Sequence, residues 1–566
     1  MKSNTDFTEC LQIMTLRIYT IILFAVFSIV LLGQTSPLEY RFRVYLKDKG
    51  SEMEYSVDNP QSFLSKRAIE RKRKERVDID STDFPVSKNY LQIIANSGGK
   101  IVSKSKWFNT CVVQLKDSLQ IEAVRLLPFV DSVKYIWRGN DQRTTHLMRP
   151  RLEPSFCEDT VSEKDFFGIS REQFALHKAD RMIKAGFRGK GIAIAVIDAG
   201  FTNVDVIPYF AKYNLLGYKD FVPNGSLFSA NDHGTKVLST MAVNQPYLMI
   251  GSAPEASYWL LRSEDSQSEF PVEEDFWVEA IEFADSVGVD IVNTSLGYSD
   301  FDDPSLSYRY EQMNGSTSLM TRAADKAFEK GILLVCSAGN EGNKPWRKIT
   351  VPADAFHALT VGAVLRDSTI AKFSSIGPTA DGRIKPDFVS AGVGVATVNQ
   401  NGVVGWSNGT SFSSPFLAGL VASLWSIHPQ LTRTDILHAL KESADRYNRP
   451  DTVFGYGIPD FSKAMRTVLE SIEPAEKILA DDVFSVLMDH PENHISVQLL
   501  DREFPPHIYT VRLLSENGLI LYENKLDENY LLNFRLNSGL KKENQYLYIV
   551  IDSPLDLRVA RLKIKL

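Results

Sequence analysis

A serine hydroxyl becomes a useful nucleophile at neutral pH only when a histidine takes its proton and a carboxylate fixes that histidine's tautomer. Three stretches of this chain offer those residue types. The first is Ile192 to Gly200, an apolar run ending abruptly in Asp198. The second is Asn231-Asp232-His233-Gly234-Thr235-Lys236-Val237, a polar turn opening a small-residue helix; His233 is one of only nine histidines. The third is Asn408-Gly409-Thr410-Ser411-Phe412-Ser413-Ser414-Pro415, a glycine-containing turn that runs into an apolar helix from Phe416 to Ile427. Ser411 then stands at a helix N-terminus, where unpaired N–H groups and the positive end of the helix dipole stabilise an oxyanion. Each residue alone has a plainer reading. Thr410 or Ser411 serves as an N-cap, Asp198 as a strand-end turn residue and His233 as a helix opener. Their joint presence favours a catalytic set.

On these residues the chain resembles the subtilisin-like serine proteases. Val-Ile-Asp198-Ala-Gly, His233-Gly-Thr-Lys-Val and Gly-Thr-Ser411-Phe-Ser-Ser-Pro match that family's three motifs, in its order of Asp, His, Ser. Ser337-Ala338-Gly339-Asn340 matches a fourth, which implies that Asn340 is the oxyanion donor. Asn293-Thr294-Ser295-Leu296-Gly297 resembles the family's substrate-lining strand, so Ser295, Leu296, Gly297, Ser337, Ala338 and Gly339 are expected to bind substrate, the first three by strand pairing with an extended peptide. Phe373 to Pro378 and Asp381 to Asp387 resemble a further family segment. Two residues depart from the pattern: Lys236 replaces a usual histidine and Ser239 a usual glycine. Neither belongs to the triad, and altered packing of the histidine helix is expected.

These residues must be held by an α/β scaffold. Between Phe167 and about residue 470, apolar strands alternate with helices: the Asp198 strand, the His233 helix, Ser257 to Leu261, a helix from Val272 to Val287, Asp290 to Thr294, a helix from Ser318 to Lys330, and a strand ending at Cys336. Near-continuous apolar strands separated by helices predict a parallel sheet covered on both faces, an α/β domain; the resemblance implies that it is the three-layer subtilisin-like domain. A single amphipathic helix carrying Phe174, Leu176, Ala179 and Ile183 precedes it. In such sheets chemistry gathers at the carboxyl ends of strands, where Asp198 and Asn340 both fall.

Residues 36–140 carry their own pattern. A strand from Tyr40 to Leu46, a helix from Tyr90 to Asn96, strands Ile101 to Lys106 and Thr110 to Leu115, a helix from Leu119 to Leu127 and a strand from Val130 to Ile136 make a ferredoxin-like βαββαβ unit. Before a subtilisin-like domain, such a unit resembles the family's prosegment, an intramolecular inhibitor that assists folding and leaves by self-cleavage. Within it, Lys66 to Arg76 is the densest charge run in the chain and reads first as a solvated helix face. A basic surface meeting an acidic catalytic domain, or a site for another protease, is the second reading. Residues 141–166 read as an exposed linker holding the processing site. Residues 478–566 alternate apolar and polar and predict a small antiparallel β-sandwich. That domain is similar, weakly, to bacterial C-terminal sorting domains, with an accessory β-domain as the alternative.

Composition sets the remaining bounds. The chain has 566 residues, 44% hydrophobic and 23% charged, a globular balance that calls for several domains. A net charge of −7 over that length argues neither for nucleic acid nor for an anionic membrane surface as the main partner, and no nucleic acid is expected. Arg17 and the apolar run Ile21 to Leu32 fit a signal peptide within residues 1–35, an N-terminal anchor being the alternative, so a secreted protein is expected. Cys10 falls in that segment; Cys111, Cys157 and Cys336 make no disulfide framework, and Cys336 reads as a buried hydrophobe. The acidic loop Tyr298 to Pro304 reads as a solvated loop, with structural calcium as the alternative; the chemistry itself calls for no cofactor. Side-chain preference rests on loops such as Glu341 to Arg347, where Trp346 either narrows the pocket or packs. The expectation is a secreted serine endopeptidase acting on polypeptides and made as a zymogen. The alternative, a catalytically silent binding protein of the same fold, predicts a missing triad member.

Overall fold

A computed structural model describes residues 38–50, 55–140, 165–223 and 225–472, and in the C-terminal part 478–480, 484–489, 494–500, 505–536, 544–553 and 560–565. The expected signal peptide and most of the expected linker lie outside them. Among the described residues no helix is long and apolar enough to cross a membrane.

The central sheet has seven parallel strands in the order Phe388–Ala391, Leu359–Val364, Leu333–Ser337, Ile291–Thr294, Ala193–Asp198, Ser257–Arg262 and Asn214–Asp220. Apart from the largely exposed edge strand Asn214–Asp220, its strands are buried on both faces, and side-chain alternation divides them between two cores. Along the Asp198 strand, Ile194 and Val196 enter the core beneath the helices His233–Ala242 and Thr410–Trp425. Ala193, Ala195 and Ile197 enter the other, beneath Val272–Val287 and Leu319–Glu329. The three-layer α/β expectation holds. Two local expectations do not. The single helix over Phe174 to Ile183 is two, Arg171–Leu176 and Asp180–Lys184, broken where Lys178 takes a positive φ of 50°. The serine helix begins at Thr410 rather than Phe416, with Pro415 inside it. Pro415 is the sixth helical residue, so its missing N–H leaves Ser411 O without its usual helical partner, and that carbonyl accepts from Ser295 Oγ at 3.0 Å instead.

The prosegment forms a four-stranded antiparallel sheet ordered Lys100–Ser105, Thr110–Leu115, Glu39–Leu46, Val130–Gly139, the ferredoxin-like arrangement. Its helical layer holds one more helix than the βαββαβ pattern counts, Lys66–Lys74. That helix is the dense charge run, and it is not a solvated face: Arg71 and Lys72 are buried. Arg71 Nη2 donates to Asp285 Oδ1 at 2.5 Å, Lys72 Nζ lies 3.2 Å from the same oxygen, and Lys106 Nζ donates to Asp285 Oδ2 at 2.9 Å. Arg43 grips Asp275 with two bonds of 2.6 Å, and Arg67 donates to Asp290 at 2.5 Å. The basic prosegment thus meets an acidic stripe on helix Val272–Val287 and the turn after it. Amphipathic pattern alone does not say what a charged face meets.

Beyond Phe461–Glu470, two four-stranded antiparallel sheets face each other around Val497, Val511, Leu513, Ile549 and Ile551. Leu514, Tyr548 and Val550 of this sandwich belong instead to the core of the central domain. Lys190 Nζ donates to Ser553 O at 2.5 Å and Lys563 Nζ to Glu470 O at 3.0 Å, which ties the sandwich to the side away from the carboxyl end of the Asp198 strand.

Candidate active site

Asp198 ends its strand fully buried. Its Oδ1 accepts from the Ala199 backbone N–H at 2.8 Å and stands 2.7 Å from His233 Nδ1. Oδ2 has no hydrogen-bond partner among the described residues. A charge buried to that degree must be matched, and His233 is the matching group, its Nδ1–H donating to Asp198. His233 opens helix His233–Ala242, and its backbone N–H donates to Asn231 Oδ1 at 2.8 Å. Gly234 is dictated by crowding: a Cβ there would lie 2.4 Å from Gly200 O and 3.0 Å from Asp198 Cβ. Burial works against a charged imidazole, but the charge and hydrogen bond of Asp198, with Glu264 behind, outweigh it and hold His233 above the usual histidine range.

Ser411 is the second residue of a helix buried along its whole length. Its Oγ donates toward Ser295 O at 3.4 Å, and Ser295 Oγ donates to Ser411 O at 3.0 Å, which pins the serine to the strand end facing it. In the first turn the Ser411 N–H has no carbonyl of its own helix to reach. Asn340 Oδ1 accepts from Thr410 N–H and Thr410 Oγ1, both at 3.0 Å. With its oxygen so occupied, Asn340 has its Nδ2 hydrogens left for a ligand.

A cleft of about 690 Å³ brings these groups together. His233, Ser411, Asn340, Ser295, Leu296, Gly297, Ser337 and Gly339 line it; Ala338 is fully buried beneath it, its N–H donating to Val361 O. Lys236 lines it too, paired with Asp232 at 2.8 Å. Ser239 Oγ accepts from Val398 N–H at 2.8 Å, so this departure tethers the histidine helix to a neighbouring strand. Trp346 packs, its Nε1 donating to Ile349 O, and is absent from the lining. In the loop Tyr298 to Pro304 the chain itself uses the carboxylates: Asp300 accepts from Ser299, Asp302 from Glu269 N–H and Asp303 from Ser305.

Two groups of residues emerge only in three dimensions. Glu264 and Glu269 line the cleft, and with buried Glu273 they place carboxylate oxygens within 4.8 Å of one another. Burial first, then the neighbouring Asp198 charge, pushes Glu264 up to about 7; burial, then Glu264 and Asp302, pushes Glu269 up to about 8. Glu264 stands just past a strand that neighbours the Asp198 strand, so the carboxyl-end rule would have found it. Thr350 also lines the cleft, 4% exposed, and its Oγ1 has no partner among the described residues. No local pattern marks it.

Residues 189–457 match the model of the subtilase family, and residues 41–148 that of the peptidase S8 propeptide domain of Bacteroidota. The chain is 30% identical over 286 residues to a subtilisin of Bacillus pumilus, covering 50% of this chain and 93% of that protein. It is 28% identical over 357 residues to subtilisin E of Bacillus subtilis, covering 62% and 80%. The fold is similar to the epidermin leader peptide processing serine protease of Staphylococcus aureus, with a TM-score of 0.53 at 16% identity over 77% of this chain and all of that one.

Proposed function

The chain belongs to the subtilase family of serine proteases, and from that premise we propose that it is a secreted serine endopeptidase, made as a zymogen that processes itself. The observation that carries the proposal is the 2.7 Å contact between Asp198 and His233 in a cleft also lined by Ser411 and Asn340. In the proposed mechanism the Ser411 hydroxyl turns away from Ser295 O toward His233 Nε2. As Oγ attacks the substrate carbonyl, Nε2 takes the proton; Asp198 holds the ring and stabilises the imidazolium. The carbonyl oxygen, now negative, is met by the Asn340 Nδ2 and Ser411 backbone hydrogens. Collapse breaks the C–N bond, His233 returns the proton to the leaving amine, and water releases the acyl group by the same steps reversed in role. No step draws on a metal.

Prosegment geometry supports self-processing. Its last strand ends at Gly139, and Asn140 lines a cavity of about 190 Å³ together with Asp265, Phe270 and Asp302. The backbone of Asp302 and Glu269 is joined at 2.9 Å, so that cavity abuts the wall of the catalytic cleft. Asn140, the last described residue before the expected processing segment, thus lies beside that wall. For the C-terminal sandwich we favour an accessory, stabilising role, because part of its apolar surface completes the central core; normal secretion after deletion from residue 478 would agree, and lost secretion would favour a sorting role.

The deciding experiment compares the full chain with Ser411→Ala by intact mass over time and by labelling with a serine-directed fluorophosphonate. Self-processing in residues 141–166 and labelling at Ser411, both absent from the variant, are expected. If the parent stays full length and unlabelled even after trace trypsin, the protease assignment is wrong.

A further inference from the structure

Resting on the protease reading, we propose that Glu264 is a positioning residue for the proton transfer. Its carboxylate, beside His233 in the cleft, favours the protonated ring and sets the pH at which the enzyme switches on, with Lys236 as the opposing charge.

The strand ends fix Glu264 in place. Asp198 and Arg262 are register partners on neighbouring strands, and just beyond them the Ser263 N–H donates to Asp198 O at 3.1 Å. Arg262 braces the same corner, its Nε donating to Ala199 O and its Nη1 to both Asp220 carboxylate oxygens, all at 3.1 Å. The next residue, Glu264, is thereby carried into the cleft lining with His233, half-buried. No hydrogen bond holds its carboxylate among the described residues; burial and neighbouring charges alone act on it. Lys236 stands one helical turn after His233 in the same lining, paired with Asp232 at 2.8 Å.

The other charges around the cleft are occupied or constant. Lys344 and Glu341 satisfy each other at 2.9 Å, and Asp265 accepts from the Gln267 N–H of its own loop. Asp198 lies buried on the far side of the ring, bonded to it. Glu273 accepts from Tyr298 Oη at 3.1 Å and burial pushes its carboxyl well up; burial, then Glu264 and Asp302, pushes Glu269 up as well. Of these three glutamates Glu264 sheds its proton first, because His233 and Arg262 draw it down. Glu264 and His233 therefore compete for protons near neutrality and titrate as a pair. The histidine accepts the Ser411 proton only when it is neutral, so activity rises as pH climbs through its pKa. An anion beside the ring moves that rise to higher pH and makes the neutral ring a stronger base; a cation does the reverse. Both act on His233 in those directions, Glu264 raising and Lys236 lowering its proton affinity.

The test uses the full chain, activated by self-cleavage or trace trypsin, and follows the rate at which a fluorophosphonate labels Ser411 between pH 5 and 9. That rate needs a neutral His233 but no substrate side chain. In Glu264→Gln the midpoint of the rise is expected to fall by about 0.5–1 pH unit, so that at pH 6 labelling, relative to its own plateau, is about three- to tenfold faster than in the parent. Lys236→Met is expected to move the midpoint up, and Glu264→Asp to keep it within about 0.3 unit of the parent. A purely structural role would alter the plateau and leave the midpoint. A midpoint unmoved or raised in Glu264→Gln, or shifted as far by Glu264→Asp as by Glu264→Gln, overturns the Glu264 assignment alone. If Glu264→Gln yields no active enzyme, Lys236→Met decides, and a midpoint unmoved or lowered there overturns it. A parent that labels at no pH removes it together with the protease reading.

Discussion

Asp285 is the anchor by which the catalytic domain holds its prosegment, and its removal should be felt there and nowhere else. Three cations converge on one carboxylate: Arg71 at 2.5 Å, Lys106 at 2.9 Å and Lys72 at 3.2 Å. Asp285 is fully buried and the cations nearly so. Burial resists its charge, but Lys106, Lys72 and Arg71 overcome that and hold its carboxyl far below the usual carboxylate range. All three cations come from the prosegment, so in the processed domain Asp285 is an ordinary helix carboxylate. Asp285→Asn leaves positive charges buried without their counter-ion. Breaking a buried pair from one side costs about 3–5 kcal/mol, roughly a 10²- to 10⁴-fold weaker prosegment. The assay is inhibition of the processed enzyme by its own cleaved prosegment, read as an inhibition constant, with the melting temperature of the processed domain as control. An inhibition constant within threefold of the parent, or a loss of several degrees by the processed domain alone, would refute the anchor argument.

Burial pushes Glu282 up to about 7 beneath the docked prosegment, although Lys106, Ser105 and the Trp107 N–H draw it down. Docking therefore takes up a proton between the free carboxyl's ordinary range and pH 7, and inhibition by the prosegment should weaken as pH rises from 5 to 7 and level off above; a flat profile in that window contradicts it. Asn340→Ala should lower kcat by about 10²- to 10³-fold with KM little changed, a size set by such a donor in a subtilisin rather than worked from this chain. Steady-state kinetics decide, and a KM effect alone would remove Asn340 from the oxyanion site. His177 is fully buried between Pro459 O and Ser390 Oγ, and burial lowers it to about 4. Its folded value lies below the unfolded one, so stability is complete above pH 6.5 and falls by about 3 kcal/mol as pH drops toward 4. Denaturant unfolding of Ser411→Ala across that range should show the slope, and His177→Gln should flatten it.

Much of this was readable in advance because the informative residues are local. Asp198, His233 and Ser411 each sit where an apolar run meets a polar turn, and strand-end chemistry is a rule about neighbours in sequence. Strands such as Ala193–Asp198 were legible for the same reason: burial on both faces demands an unbroken apolar run. What escaped was set by partners distant in the chain. Lys66 to Arg76 has the composition of a solvated face, and only the approach of Asp285 and Asp290, more than 200 residues on, makes it an interface. Thr350 lies in no motif and gains its place by settling between Gly297 and Gly339, which precede it. The break at Lys178 depends on one left-handed residue that apolar spacing does not record.

The helix Thr410–Trp425 has no solvent-facing side, since every residue in it is buried. A segment of that kind has no amphipathic stripe to guide it and little reason to be ordered before both neighbouring layers exist. The nucleophile's place is therefore among the last things folding defines, after strands that pair across about a hundred residues have found one another. Amide protons deep in this helix can exchange only through openings that take much of the domain with them. The active serine and the global fold then share one fate: heat or denaturant removes both together, with no softened intermediate in which the triad fails while the sheet endures.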